Sequence, residues 1–182
     1  LARIWPGTLP EVEDIHFLAH RIPVPPNKGD KIRSYHLLKY LAGKYNVHLA
    51  AFIDNADDWR YEHEVSGYCK STFFRPLNDG RAKLKSLRGF LTGQALSLPY
   101  YMDRKMQGGV DAILREYDIK RVLCFSSVMS QYVAGRRNCY LSRVADFVDM
   151  DSDKWSQYSR KKSFPMNLIY AREANKLLDF EK

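Results

Sequence analysis

Five short apolar runs, separated by stretches of helical periodicity, constrain the fold of this chain more than any other feature. They fall at residues 15–20, 47–53, 72–77, 121–125 and 144–148. Each has strand length and a near-continuous apolar character, the pattern of strands buried on both faces. Between them, residues 31–44 carry Ile32, Tyr35, Leu38 and Leu41 at spacing three, which predicts a helix. Residues 57–68 open on Asp57 and Asp58, acidic residues that suit a helix N-terminus. Residues 81–91 are strongly periodic, and residues 103–117 are periodic but interrupted by Gly108 and Gly109. A short helix is predicted over 128–134 and a long one over 165–181, with Ser163 as a candidate cap and Pro165 in the first turn. Strands alternating with helices predict an α/β fold, a Rossmann-like parallel sheet flanked by helices. Ligands of such sheets bind at the carboxyl ends of the strands, which directs attention to residues 21–30, 126–127 and 149–155.

The chain has 182 residues, enough for one domain with a real core. No run approaches the roughly 18 apolar residues of a membrane span, and the first residues lack a charged region followed by an apolar one, so no signal peptide is expected there. Residues 1–14 read as an N-terminal extension or appended residues, and 15–182 as the domain. Three widely spaced cysteines, Cys69, Cys124 and Cys139, suit neither a disulfide framework nor a zinc site, and fit a reducing cytoplasm. The net charge of +8 favours anionic partners: nucleotides, nucleic acid or an acidic membrane face.

The loop after the first strand, "RIPVPPNKGD", is stiffened by Pro23, Pro25 and Pro26. Gly29 allows close backbone approach, and the helix that follows offers free N–H groups to an anion. Asn27, Lys28, Gly29, Asp30, Lys31 and Arg33 are therefore candidate phosphate or sugar-nucleotide contacts; the alternative is a solvated connection. The loop matches neither G-x-x-x-x-G-K-[ST] nor G-x-G-x-x-G, which leaves an ATPase and a Rossmann dehydrogenase unsupported.

"DFVDMDSDKW", residues 146–155, carries alternating Asp149, Asp151 and Asp153. Lys154 and Arg160 stand where an EF-hand needs glycine and glutamate, excluding that calcium loop. Three readings stay open: a D-x-D metal site of a GT-A transferase through Asp149 and Asp151, carboxylates that hold substrate hydroxyls, or a capped helix with solvated neighbours. Ser126 and Ser127 follow the fourth strand without the glycines of a nucleophile elbow, so they either bind substrate or cap the next helix. In "GRAKLKSLRGFL", Leu84, Leu87 and Leu91 share one helix face and Arg81, Lys85 and Arg88 another. Such a helix lies on an anionic membrane or is a surface helix packed on its own domain. No histidine pair has metal-ligand spacing.

Taken in order, "FLAHRIPVPPNKGDKIRSYHLLKYLA", "LRGFLTGQALSLPYY" and "DFVDMDSDKWSQYS" resemble the N-terminal half of GT4-type sugar transferases associated with bacterial exopolysaccharide and EpsH-type systems. The resemblance runs from about residue 15 to the end. It implies the N-terminal half of a GT-B glycosyltransferase, whose two Rossmann-like domains face each other across a cleft. It further implies retaining, metal-independent transfer, with the nucleotide-sugar donor as co-substrate and no cofactor. The donor would be held mainly by a C-terminal domain, and a saccharide or lipid-linked acceptor by this one. Asn27, Lys28, Gly29 and Asp30 would approach the donor phosphates and the acceptor.

Two departures qualify the resemblance. Many GT4 enzymes carry a histidine at the end of the fifth strand, where Asp149 stands here as the candidate catalytic residue. The family's E-x7-E motif belongs to the other half; Glu173 and Glu181 have that spacing, but on one helix of this domain. The expectation is a half-enzyme, inactive alone, cytoplasmic and peripheral on the inner membrane face. Nucleic acid is not an expected partner, since no helix-turn-helix, RNP or zinc pattern accompanies the charge.

Overall fold

The computed structural model describes residues 12–134, 140–147 and 151–181, with side chains at 151, 152 and 181 excepted. Five strands form one all-parallel sheet: β1 (Asp14–Ala19), β2 (Asn46–Ile53), β3 (Ser71–Pro76), β4 (Arg121–Phe125) and β5 (Ser142–Asp146). Their spatial order is β3-β2-β1-β4-β5. The order reverses between β1 and β4, whose register pairs His16 with Val122 and Ala19 with Phe125. A crevice is expected there, outside the carboxyl ends of those two strands.

Strand side chains alternate between two cores. Phe17 and Ala19 of β1 join Leu49 and Ala51 of β2, under α1 (Gly29–Ala42) and α2 (Glu62–Ser66). Leu18 joins Ala50, Phe52 and Cys124 on the other face, under α5 (Ser97–Tyr101), α6 (Arg104–Glu116) and α8 (Met166–Glu181). Phe17 and Leu18 are wholly buried, each stabilising the fold by about 1.5–3 kcal/mol relative to exposure.

The buried face of α1 departs from the expected stripe. It consists of Lys31, Ser34, Leu38 and Leu41, while Ile32 is exposed. The segment after β2 is a 3-10 helix (Ala56–Tyr61) followed by the short α2, rather than one helix. Residues 81–91 form two helices, α3 (Asp79–Ser86) and α4 (Arg88–Thr92). Gly93 closes α4 with a φ of 71°, a left-handed conformation that favours glycine.

Gly109 sits inside α6 for a packing reason. A Cβ there would fall 2.3 Å from the Phe73 ring, so the missing side chain lets α6 approach β3. α6 is capped by Asp103, whose carboxylate accepts from Met106 N at 2.8 Å. Neither α5 nor α7 (Asp151–Lys161) is apparent from apolar periodicity. α7 packs along α8, with Trp155 stacked on Tyr170 at 5.2 Å. No helix among the described residues is long and apolar enough to cross a membrane.

Candidate functional site

A crevice of about 500 Å³ opens at the β1/β4 switch point. His20 and Arg21 line it from the end of β1, Gly29 and Asp30 from the start of α1, and Ser126 from the end of β4. Lys154 and Trp155 of α7 and Tyr101 of α5 complete the wall.

Asp30 is its electrostatic centre. His20 donates from Nε2 to Asp30 Oδ2 at 3.1 Å, and Arg21 Nε lies 3.2 Å from the same oxygen as an ion pair. The hydrogen bond from His20, then the Arg21 charge, hold the Asp30 carboxyl far below the usual carboxylate range despite its partial burial. At neutral pH Asp30 is therefore a fixed anion that accepts hydrogen bonds and has no proton to give. Arg21 also reaches Asp54, at 3.5 Å. Burial works against the guanidinium charge, but Asp54 and Asp30 more than offset it and raise the Arg21 pKa.

The His20 ring is fixed on all sides. It stacks on Phe125 at 5.9 Å and meets Tyr101 edge-on at 6.1 Å. Its Nδ1 faces the Phe125 carbonyl at 3.4 Å, and its backbone N–H donates to that oxygen at 2.9 Å. Both ring nitrogens thus face acceptors, with Nε2 the closer donor. Lys154 lines the same crevice and forms no ion pair among the described residues.

The structure brings some of the expected residues to this crevice and takes others away. Gly29, Asp30 and Ser126 line it. A Cβ at Gly29 would meet nothing within 4 Å, so its backbone borders open space. Asn27 and Lys28 are exposed at the head of α1, and Lys28 provides no side-chain cap. Lys31, expected to face a ligand, instead turns into the interior, where its Nζ donates to Asp58 Oδ2 at 2.5 Å. Arg33 is likewise committed away from the crevice: it donates to Asp146 Oδ1 at 2.7 Å and ties α1 to β5. Ser127 is buried behind the crevice wall, and its Oγ has no partner among the described groups.

The fifth strand ends at Asp146, three residues before Asp149, because its partner β4 ends at Phe125, which pairs with Asp146. Asp149 and the Asp151 side chain lie outside the described residues. Among the described residues no three histidine, cysteine or acidic side chains gather as a metal site would need. The Glu173 of the E-x7-E spacing has a local structural use. Its carboxylate accepts from Leu96 N at 2.5 Å, from Ser97 N at 2.9 Å and from Ser97 Oγ at 2.7 Å. It thereby caps α5.

Arg81, Lys85 and Arg88 are exposed on α3 and α4. The leucines between them are exposed too: Leu84 is 71%, Leu87 53% and Leu91 89% accessible, and Phe90 joins them. The three leucines project from the domain, while the Phe90 ring is covered in part by the Arg172 guanidinium, 4.8 Å from its centre. The described cysteines are no nucleophiles, since burial pushes both the Cys69 and Cys124 thiols up to about 12.

The segments 21–30 and 149–155, marked from the sequence, contain Arg21, Lys154 and Trp155, though none of the three is a named candidate there; His20 and Tyr101 lie outside those segments. Position would have found His20, which directly follows β1. Tyr101 arrives on α5, which has no apolar periodicity. No protein-family model matches the chain, and a search of curated proteins finds no match.

Proposed function

We propose that this chain is the acceptor-side domain of a nucleotide-sugar-dependent glycosyltransferase of the GT-B, GT4-like type, acting in exopolysaccharide or cell-surface glycan synthesis at the inner membrane face. The observation that carries this reading is the switch-point crevice, lined by both an ionised carboxylate, Asp30, and a cation, Lys154. A permanently ionised carboxylate suits sugar hydroxyls, which donate to it. The lysine and the α1 N-terminus suit the phosphates of a donor nucleotide.

In this reading, Asp30 accepts from an acceptor hydroxyl while His20 and Arg21 hold it in place. Tyr101 and Trp155 offer faces against which a sugar ring packs. The site is open on one side, and a second domain closing over it would exclude water and bring the donor. Transfer is retaining and metal-independent, and the single domain is inactive.

The test is release of nucleoside diphosphate from a panel of nucleotide sugars, with the 182-residue chain and with the chain extended by its donor domain. Release by the extended protein alone is expected. Sugar transfer by the 182-residue chain rejects the half-enzyme reading, and none by the extended protein with any acceptor rejects the transferase.

A further inference from the structure

A second cavity, of about 530 Å³, runs between α3, α5, α7 and α8. Its walls are mainly apolar and aromatic, with Leu96, Tyr100, Met166, Ile169 and Tyr170 among them. Several polar groups in these walls are already occupied. Glu173 is spent on the head of α5, and Ser97 on Glu173. Tyr100 and Lys83 both donate to Asp79, at 2.7 and 2.6 Å, and Ser86 donates to the Lys83 carbonyl at 2.6 Å. A ligand here finds hydrocarbon and aromatic surface, which favours an apolar occupant.

Two further relationships identify that occupant. Ser97, Tyr101 and Trp155 line both this groove and the switch-point crevice, so the two cavities adjoin at these residues. Lys83 and Ser86 of α3 also line it, and their chain neighbours Leu84, Leu87, Arg81, Lys85 and Arg88 are exposed. Phe164 and Leu168, two residues to either side of the lining residue Met166, are exposed. An apolar ridge set among cations complements an anionic bilayer. A crevice bearing lysine, adjoining an apolar groove lined in part by the helix that carries this ridge, complements an amphiphile.

We propose that the groove holds the hydrocarbon chain of a membrane lipid whose phosphate-bearing head lies in the switch-point crevice. It rests on the transferase reading only in taking that lipid to be the acceptor. Tail capture would let the domain draw the head from the bilayer surface toward the crevice without extracting the whole chain.

The probes are decyl phosphate, below its micelle concentration, and methyl phosphate, titrated calorimetrically into the 182-residue chain. Decyl phosphate should bind about tenfold tighter or more, since burying two methylenes suffices for that factor. Ile169→Glu and Met166→Trp should remove this advantage and leave methyl phosphate binding as in wild type. Leu91→Glu, outside the groove, should change neither. Equal wild-type affinities for the two probes would overturn the proposal, as would a decyl advantage kept by both variants. Self-association that either variant abolishes would assign the groove to a second copy and likewise overturn it. Should both variants unfold, a decyl phosphate carrying a terminal diazirine decides on the wild type. Labelling of residues 96–101 and 166–170 supports the groove, and labelling confined to 84–91 overturns it. Chain-dependent binding in a protein that transfers no sugar would leave the groove standing and remove the transferase reading. Transfer without chain-dependent binding would do the reverse.

Discussion

Lys31 Nζ lies 2.5 Å from Asp58 Oδ2, and both side chains are almost wholly withdrawn from solvent. The pair joins the first turn of α1 to the 3-10 helix after β2. It also fixes the head of α1, from which Asp30 enters the crevice. Removing one partner strands a buried charge, so Lys31→Met should destabilise the domain by about 3–5 kcal/mol. Lys31→Met combined with Asp58→Leu should recover most of that loss. Urea unfolding of the three variants is the check. A single variant within about 0.5 kcal/mol of wild type would mean that water reaches Asp58 readily.

Asp30 should matter for transfer as well as for folding. In the extended enzyme, Asp30→Asn keeps the shape but loses the anion that His20 and Arg21 hold, and turnover should fall about 100-fold or more. Because the held anion also stabilises the fold, kinetics should be compared well below the melting temperature of the variant. Wild-type kinetics in Asp30→Asn would remove Asp30 from the site.

His16 makes stability depend on pH. It is fully buried, and burial lowers its pKa from 6.5 to about 4, against the hydrogen bond to the His48 carbonyl. Below 6.5 the unfolded chain takes up a proton that the native ring refuses. Stability should therefore rise with pH between about 4 and 6.5, by at most about 3 kcal/mol from this group. Asp30 acts lower on the scale. Its folded pKa is depressed, so its contribution is present above the ordinary carboxylate range and is lost as pH falls through and below it. Unfolding free energies from pH 4.5 to 7 for wild type and His16→Phe isolate the first term. An unchanged slope in the variant would assign the pH dependence elsewhere.

The adjacent glycines of α6 should respond oppositely to alanine. At Gly108 a Cβ meets nothing within 4 Å, so Gly108→Ala should stabilise by about 0.5–1 kcal/mol through helix propensity. Gly109→Ala drives a methyl into the Phe73 ring and should destabilise by about 1–3 kcal/mol. Thermal melts of the two variants distinguish the cases, and stabilisation by both would show that Phe73 moves aside at little cost.

Vesicle binding should need both faces of the α3–α4 segment. Arg81, Lys85 and Arg88→Glu should abolish flotation with anionic vesicles, and Leu84, Leu87 and Leu91→Ser should weaken it at constant charge. Equal flotation of wild type and both triple variants would reject the membrane-facing assignment.

The strands at the sheet centre were legible because burial on both faces leaves an uninterrupted apolar run, as in β1 and β2. β5 was placed two residues late for the opposite reason. It is an edge strand with Ser142, Arg143 and Val144 exposed, so backbone pairing with β4, rather than hydrophobicity, sets its start. α5 was missed because the carboxylate that caps it, Glu173, stands 76 residues from Ser97. From the sequence, Lys31 reads as a ligand contact because it opens a helix after a glycine loop, whereas Asp58, 27 residues on, compensates its burial instead.

By itself the sequence determined the parallel α/β class, the strand that leads into the crevice, and the glycine at its rim. Each follows from local features: apolar runs of strand length, prolines that fix φ, and a residue without Cβ. Which charges face the crevice was decided only by tertiary structure. Lys31 and Arg33 found carboxylates on other elements, while α7 brought Lys154 and α5 brought Tyr101 to the wall. The physical reason is that a charge settles where its desolvation is best compensated, and the compensating groups here lie far away along the chain.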